Sequence, residues 1–138
     1  MKPQHFFCYL AVVAVLFTAC EKDKEKDYRA QWVGEWDFEV HSSYWELDAG
    51  IIWDTVYYSL GEISLESVDK LNIKITETQS IIFTVNEGGK LFESSFDCSR
   101  NGKFMGRDTI YINSHCGGNG GGTSSRIDGI KKEGGRNE

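Results

Sequence analysis

Apolar side chains recur at every second position through most of this chain, and that period of two confines it to strands. From Glu35 to His41, Trp36, Phe38 and Val40 alternate with Asp37 and Glu39. From Lys70 to Thr76, Leu71, Ile73 and Ile75 oppose Asn72 and Lys74, and from Ser80 to Val85, Ile81, Phe83 and Val85 share one side. Successive side chains on a strand point to opposite faces, so each run buries one face and wets the other. No segment of the mature chain shows the 3.6-residue period of a helix.

Four further runs extend the pattern. Ile51–Leu65 is rich in β-branched and aromatic residues, with Gly61 marking a bend or bulge. Lys90–Cys98 sets Phe92, Phe96 and Cys98 on one face, Asp108–Cys116 does the same with Ile110, Ile112 and Cys116, and Thr123–Lys132 is the last strand. Short polar links join them: Ser67-Val68-Asp69, Glu77-Thr78-Gln79 and the glycine turn Asn86-Glu87-Gly88-Gly89. Fifteen glycines and a single proline suit such a chain. The expected fold is all-β: an antiparallel up-and-down meander of about eight strands closed into a barrel, with a two-layer β-sandwich as the alternative.

The N-terminus reads as an address. Lys2 precedes the apolar run Phe6–Phe17, and the uncharged stretch from Phe6 to Ala19 is shorter than the roughly 20 residues a bilayer-spanning helix needs. Leu16-Phe17-Thr18-Ala19-Cys20 resembles the lipobox of bacterial lipoproteins, with Phe17 where Leu is usual, a variation found among the Bacteroidota. The resemblance implies cleavage before Cys20, a covalent lipid on Cys20 and anchorage in the outer membrane, its face left open. Residues 21–27, Glu-Lys-Asp-Lys-Glu-Lys-Asp, hold nothing apolar to bury and read as a solvated tether. The expected organisation is therefore a signal peptide over 1–19, lipidated cysteine and tether over 20–31, a β-domain over 32–132 and a disordered tail over 133–138.

Val33-Gly34-Glu35-Trp36 resembles the opening strand of lipocalin-like barrels. The resemblance implies that Gly34 and Trp36 close one barrel end, covered by a basic side chain from the last strand, for which Arg126 is the candidate through cation–π contact. It also implies binding of a small ligand. Small Bacteroidota lipoproteins with a late glycine-rich stretch and an ending like Asp128-Gly129-Ile130-Lys131-Lys132 are similar too.

Charge and motif spacing narrow the function. The formal net charge of -6, with no basic run, disfavours a nucleic-acid partner. His41, Cys98, His115 and Cys116 lack metal-ligand spacing, and Ser114, His115 and Cys116 have no orienting partner for nucleophilic catalysis, so neither metal, cofactor nor enzymatic activity is expected. With Cys8 leaving in the signal and Cys20 lipidated, Cys98 and Cys116 remain as an even pair in an exported domain, read as a disulfide or as two buried thiols. Gly117–Gly122 reads as a flexible loop. Tyr44, Trp45 and Trp53 lie around one connection, where aromatic rings suit a glycan or an apolar ligand. Two functions follow: a non-enzymatic carrier of a small apolar or glycan ligand, or a protein-interaction or inhibitor module whose loops meet an envelope protein.

Overall fold

Strand β1 (Gly34–Glu46) is paired along both edges, with β2 (Gly50–Leu65) on one side and β8 (Gly121–Lys131) on the other. Between them run β3 (Lys70–Lys74), β4 (Ser80–Val85), β5 (Lys90–Ser94), β6 (Cys98–Met105) and β7 (Thr109–Gly118), each antiparallel to its neighbours in sequence. First and last strands meet, so the meander closes into an eight-strand barrel of lipocalin-like order, and the two-layer sandwich is set aside. The computed structural model describes residues 26–133.

Three strand assignments change. Lys90–Cys98 is not one strand: the chain turns at Ser95–Asp97, Phe96 is fully exposed there, and β6 follows as a strand of its own. The sequence of β6 hides its alternation because Arg100 and Gly102 occupy two of the inward positions between Cys98 and Phe104. Gly61 pairs regularly with Trp36, and the β1–β2 irregularity lies between Tyr44 and Trp45 instead. Gly117, Gly118, Gly121 and Gly122 are ladder residues of the β7–β8 hairpin, so the expected glycine loop shrinks to the Asn119–Gly120 turn.

The expected tether also ends earlier than residue 31. Tyr28–Trp32 forms a 3-10 helix that covers the barrel end where β1 begins. Asp27 caps it, and the Arg29 guanidinium, 2.6 Å away, holds the Asp27 carboxyl below the usual carboxylate range. Arg29 also donates to the carbonyls of Ser67 and Lys70, and the Tyr28 hydroxyl donates to that of Val85 at 2.8 Å. Trp32 stacks on Phe104 with ring centroids 4.3 Å apart and donates Nε1–H to the Gly106 carbonyl at 3.0 Å. These residues are driven inward by aromatic burial that the adjacent charge run masks in the sequence.

Behind this plug the interior is filled. Trp36, Phe38, Ile63, Ile73, Phe83, Ile110, Ile112 and Ile127 are buried together, and every buried side chain of the described core is apolar. Phe38 faces Gly129 on β8 and lies against Gly61 on β2. A Cβ on Gly129 would sit 2.5 Å from Ile110 Cγ2 and 2.7 Å from Phe38 Cε1, and one on Gly61 would sit 2.7 Å from Phe38 Cε2. The two glycines make the space that the ring occupies. Gly129→Ala should therefore lower stability by about 1–3 kcal/mol through overpacking, read as a shifted urea midpoint at unchanged slope. Adding Phe38→Leu should recover part of that loss; strictly additive losses would mean that ring and glycine are uncoupled.

Candidate functional site

Above Val40 the inward face of the barrel turns polar. β1 continues with Ser42 and Tyr44, β8 with Ser125 and Thr123, β7 with Ser114 and Cys116, and β6 with Arg100 and Cys98. Arg100 closes the apolar floor from above. Its Nη1 donates to Glu93 at 2.7 Å, its Nε to Ser114 at 3.1 Å, and its Nη2 lies 3.1 and 3.3 Å from the sulfurs of Cys98 and Cys116. The two side chains of this ion pair are about one fifth exposed, so a charge pair sits where a wholly enclosed apolar cavity would be needed for a lipocalin-type cargo. Cys98 and Cys116 are directly opposite across β6 and β7, with Cα atoms 4.1 Å apart, and are disulfide-bonded. Ser42 and Ser125 share a hydrogen bond of 2.8 Å, and the Tyr57 hydroxyl donates to Gln79 at 3.1 Å.

The outward face of the same strands carries two polar rows. Asn101, Asn113, Arg126 and His41 are consecutive cross-strand partners from β6 to β1. Ser99, His115, Ser124, Ser43 and Asp54 form the next row, from β6 to β2. Together they line an open groove of about 440 Å³. Trp45 and Tyr111 stand in the flanking rows, Trp45 stacked against His115 at 6.1 Å and Tyr111 under the Arg126 guanidinium at 5.3 Å. His115 shares a hydrogen bond with Ser124 at 2.9 Å, His41 with Glu39 at 2.7 Å, and the Tyr111 hydroxyl donates to Asn113 at 2.8 Å. Amide, hydroxyl, imidazole and guanidinium groups thus converge between two aromatic rings.

The aromatic trio singled out in the sequence is divided between the faces. Tyr44 stacks on Trp53 inside, 6.2 Å apart, whereas Trp45 points outward into the groove row. A hydrogen bond to the Glu46 carboxylate, 3.2 Å away, raises the Tyr44 phenol above its usual range. Gly34 and Trp36 do lie at the plugged end, where Trp36 is fully buried and donates to the Trp32 carbonyl at 3.0 Å. Arg126 does not cover Trp36. It pairs with His41, well along β8, and its side chain is outward, held by Asp128 at 2.8 Å, which raises its pKa. The residue opposite Trp36 is Lys131, whose Cε comes 3.3 Å from a Cβ built on Gly34 and whose Nζ donates to the Gln31 carbonyl at 2.8 Å. Parity explains the miss: Lys131 and Trp36 are both inward residues, and Arg126 is one residue out of phase.

Ser114 and Cys116 face inward while His115 faces outward, so that trio does not converge on one point. Cys20 lies outside the described residues. Arg100, Glu93 and the outer asparagine–serine rows escaped sequence reading. The signal that could have found the rows is the alternation of polar residues along each strand, as in Ser99, Asn101 and Lys103, legible only once β6 is recognised.

No family model matches the chain, and comparison with curated proteins and with solved structures gives no match either.

Arg100→Met should leave the half-buried Glu93 carboxylate without its partner and lower stability by about 1–3 kcal/mol. In a double-mutant cycle, Glu93→Gln together with Arg100→Met should lose less than the two single losses combined. Independent losses would mean that the pair does not hold the floor.

Proposed function

We propose that this chain is a lipid-anchored, non-enzymatic binding domain of the outer membrane that holds a glycan in the groove across β6, β7, β8 and β1. The observation that carries the reading is the pairing of a filled apolar interior with an open, hydrogen-bonding groove flanked by Trp45 and Tyr111. Sugars present hydroxyls to amides and guanidinium groups and apolar C–H faces to aromatic rings; the groove offers the first kind of contact and the flanking Trp45 ring the second. Of the two cargoes the sequence allowed, an apolar one needs enclosed apolar volume, and the space inside is taken by Phe38, Phe83 and their isoleucine neighbours. The separated placement of Ser114, His115 and Cys116 supports a binding rather than a catalytic role.

The lipobox-like segment supports the anchor. In that arrangement the tether reaches the barrel at the plugged end, where Asp27 and Tyr28 lie, and the groove sits toward the opposite end, away from the attachment point.

Cys20→Ser should move the protein out of the membrane fraction; unchanged fractionation would remove the anchor from the proposal. Screening against immobilised glycans should find a ligand whose capture falls about tenfold in Trp45→Ala and in Asn113→Ala, the loss expected from one stacking or hydrogen-bonding contact. Capture unaffected by both variants, or retention of an apolar molecule alone, would overturn the glycan reading.

A further inference from the structure

The barrel closes through β1, and β2 outruns the strand on its other edge. β3 pairs with β2 only from Glu62 to Leu65, so among the described residues β2 from Gly50 to Gly61 has β1 along one edge and no strand along the other. Much of this free edge is apolar and exposed: Ile52, Trp53, Val56, Tyr58 and Leu60 are 49%, 44%, 47%, 75% and 56% accessible. Exposed edges are ordinarily blunted by lysine, proline or several charges. From Ile51 to Leu60 the only charged residue is Asp54, and neither lysine nor proline occurs. Such an edge offers unpaired backbone donors and acceptors together with apolar surface, the two things that strand addition consumes.

We propose that the occupant is a second copy of this chain, whose own β2 adds antiparallel to this edge about a two-fold axis at Thr55. The sequence of the edge is complementary to itself in that register. Thr55 meets Thr55, Trp53 meets Tyr57 on the inward face on both sides of the axis, and Ile52 meets Tyr58. Asp54 lies opposite Val56, so the single charge of each copy avoids its equivalent. Shifting the axis one residue toward the β1–β2 turn sets Asp54 directly against Asp54, a like-charge pairing that destabilises a sheet. Shifting it one residue the other way sets the partner's Gly50 against Glu62, whose edge is already taken by Lys74 of β3. The pairing is isologous, so it closes at two copies.

Site-directed cross-linking in the full chain tests this, with the chain expressed in a bacterial host and mildly oxidised before non-reducing electrophoresis. Directly opposed residues on paired strands meet the Cα separation that a disulfide needs, so Thr55→Cys should give about tenfold more covalent dimer than Asp54→Cys or Val56→Cys alone. Asp54→Cys and Val56→Cys chains expressed together should cross-link to each other. That mixed pair keeps the test open if Thr55→Cys fails to fold. The otherwise unaltered chain is the control for Cys8 and Cys20, and Val56→Lys added to Thr55→Cys should abolish the dimer by placing a charge on the apolar edge. A monomer throughout, a dimer indifferent to Val56→Lys, or cross-linking of Thr55→Cys only to other proteins would each overturn self-association, the last pointing to a foreign strand on this edge.

Discussion

The double pairing of β1 governs this molecule. From Trp36 to Glu46 β1 is bonded to β2 on one edge and to β8 on the other, which joins the first strand to the last and fixes the register of everything between. A slip of one residue would turn Trp36, Phe38 and Val40 outward and bring Asp37 and Glu39 into the core, so the register is held by the burial of three large side chains as well as by backbone bonds. Fully burying each contributes roughly 1.5–3 kcal/mol. The same strand also carries the change of character along the barrel, from Trp36, Phe38 and Val40 near the plug to Ser42 and Tyr44 beyond it.

That change divides the structure by strand length. The short strands β3, β4 and β5 cover the apolar part, whereas β1, β2, β7 and β8 run on past it. Where the long strands lose their short neighbours, inward positions are half wet and can no longer be apolar without penalty. Serines, Arg100 with Glu93 and the disulfide occupy them instead. The bridge ties β6 to β7 at the height where β5 has ended, and cross-linking there limits fraying of a ladder that has only one flanking strand.

How much of this was legible follows from what each residue has to do. Stretches whose inward residues are all apolar could be read directly, as in β3, β4 and the Trp36–Val40 part of β1, and so could the turns that follow β2, β3 and β4. β6 could not, because Gly102 yields its inward place to Ile112 and Arg100 spends its charge on Glu93, leaving only Phe104 to mark the face. The pairing of Cys98 with Cys116 was within reach as an even pair of cysteines, although the parity read for Cys98 belonged to a Lys90–Cys98 strand that the turn at Ser95–Asp97 breaks. The closing of the plugged end was half legible: Gly34 and Trp36 were found there, but the choice of Arg126 over Lys131 required the β1–β8 register, which no local pattern encodes. The 3-10 plug was missed because Tyr28 and Trp32 follow a charged run and make their contacts with turns far away in sequence.

A small barrel has limited room, and its residues decide how the room is used. Here two glycines on the strands flanking β1 admit one phenylalanine ring rather than a ligand, and Arg100 closes the space above it. The proposed recognition accordingly lies not in the interior but on the surfaces of the long strands, where side chains can alternate freely because neither face must be wholly buried. The outer rows of β6, β7 and β8 use that freedom for polar groups, and the free edge of β2 uses it for apolar ones. Asp54 belongs to both, as the end of the second polar row and the sole charge of the edge. A strand added to β2 would therefore extend the same sheet that bears the groove, so that whatever covers the edge also borders the groove.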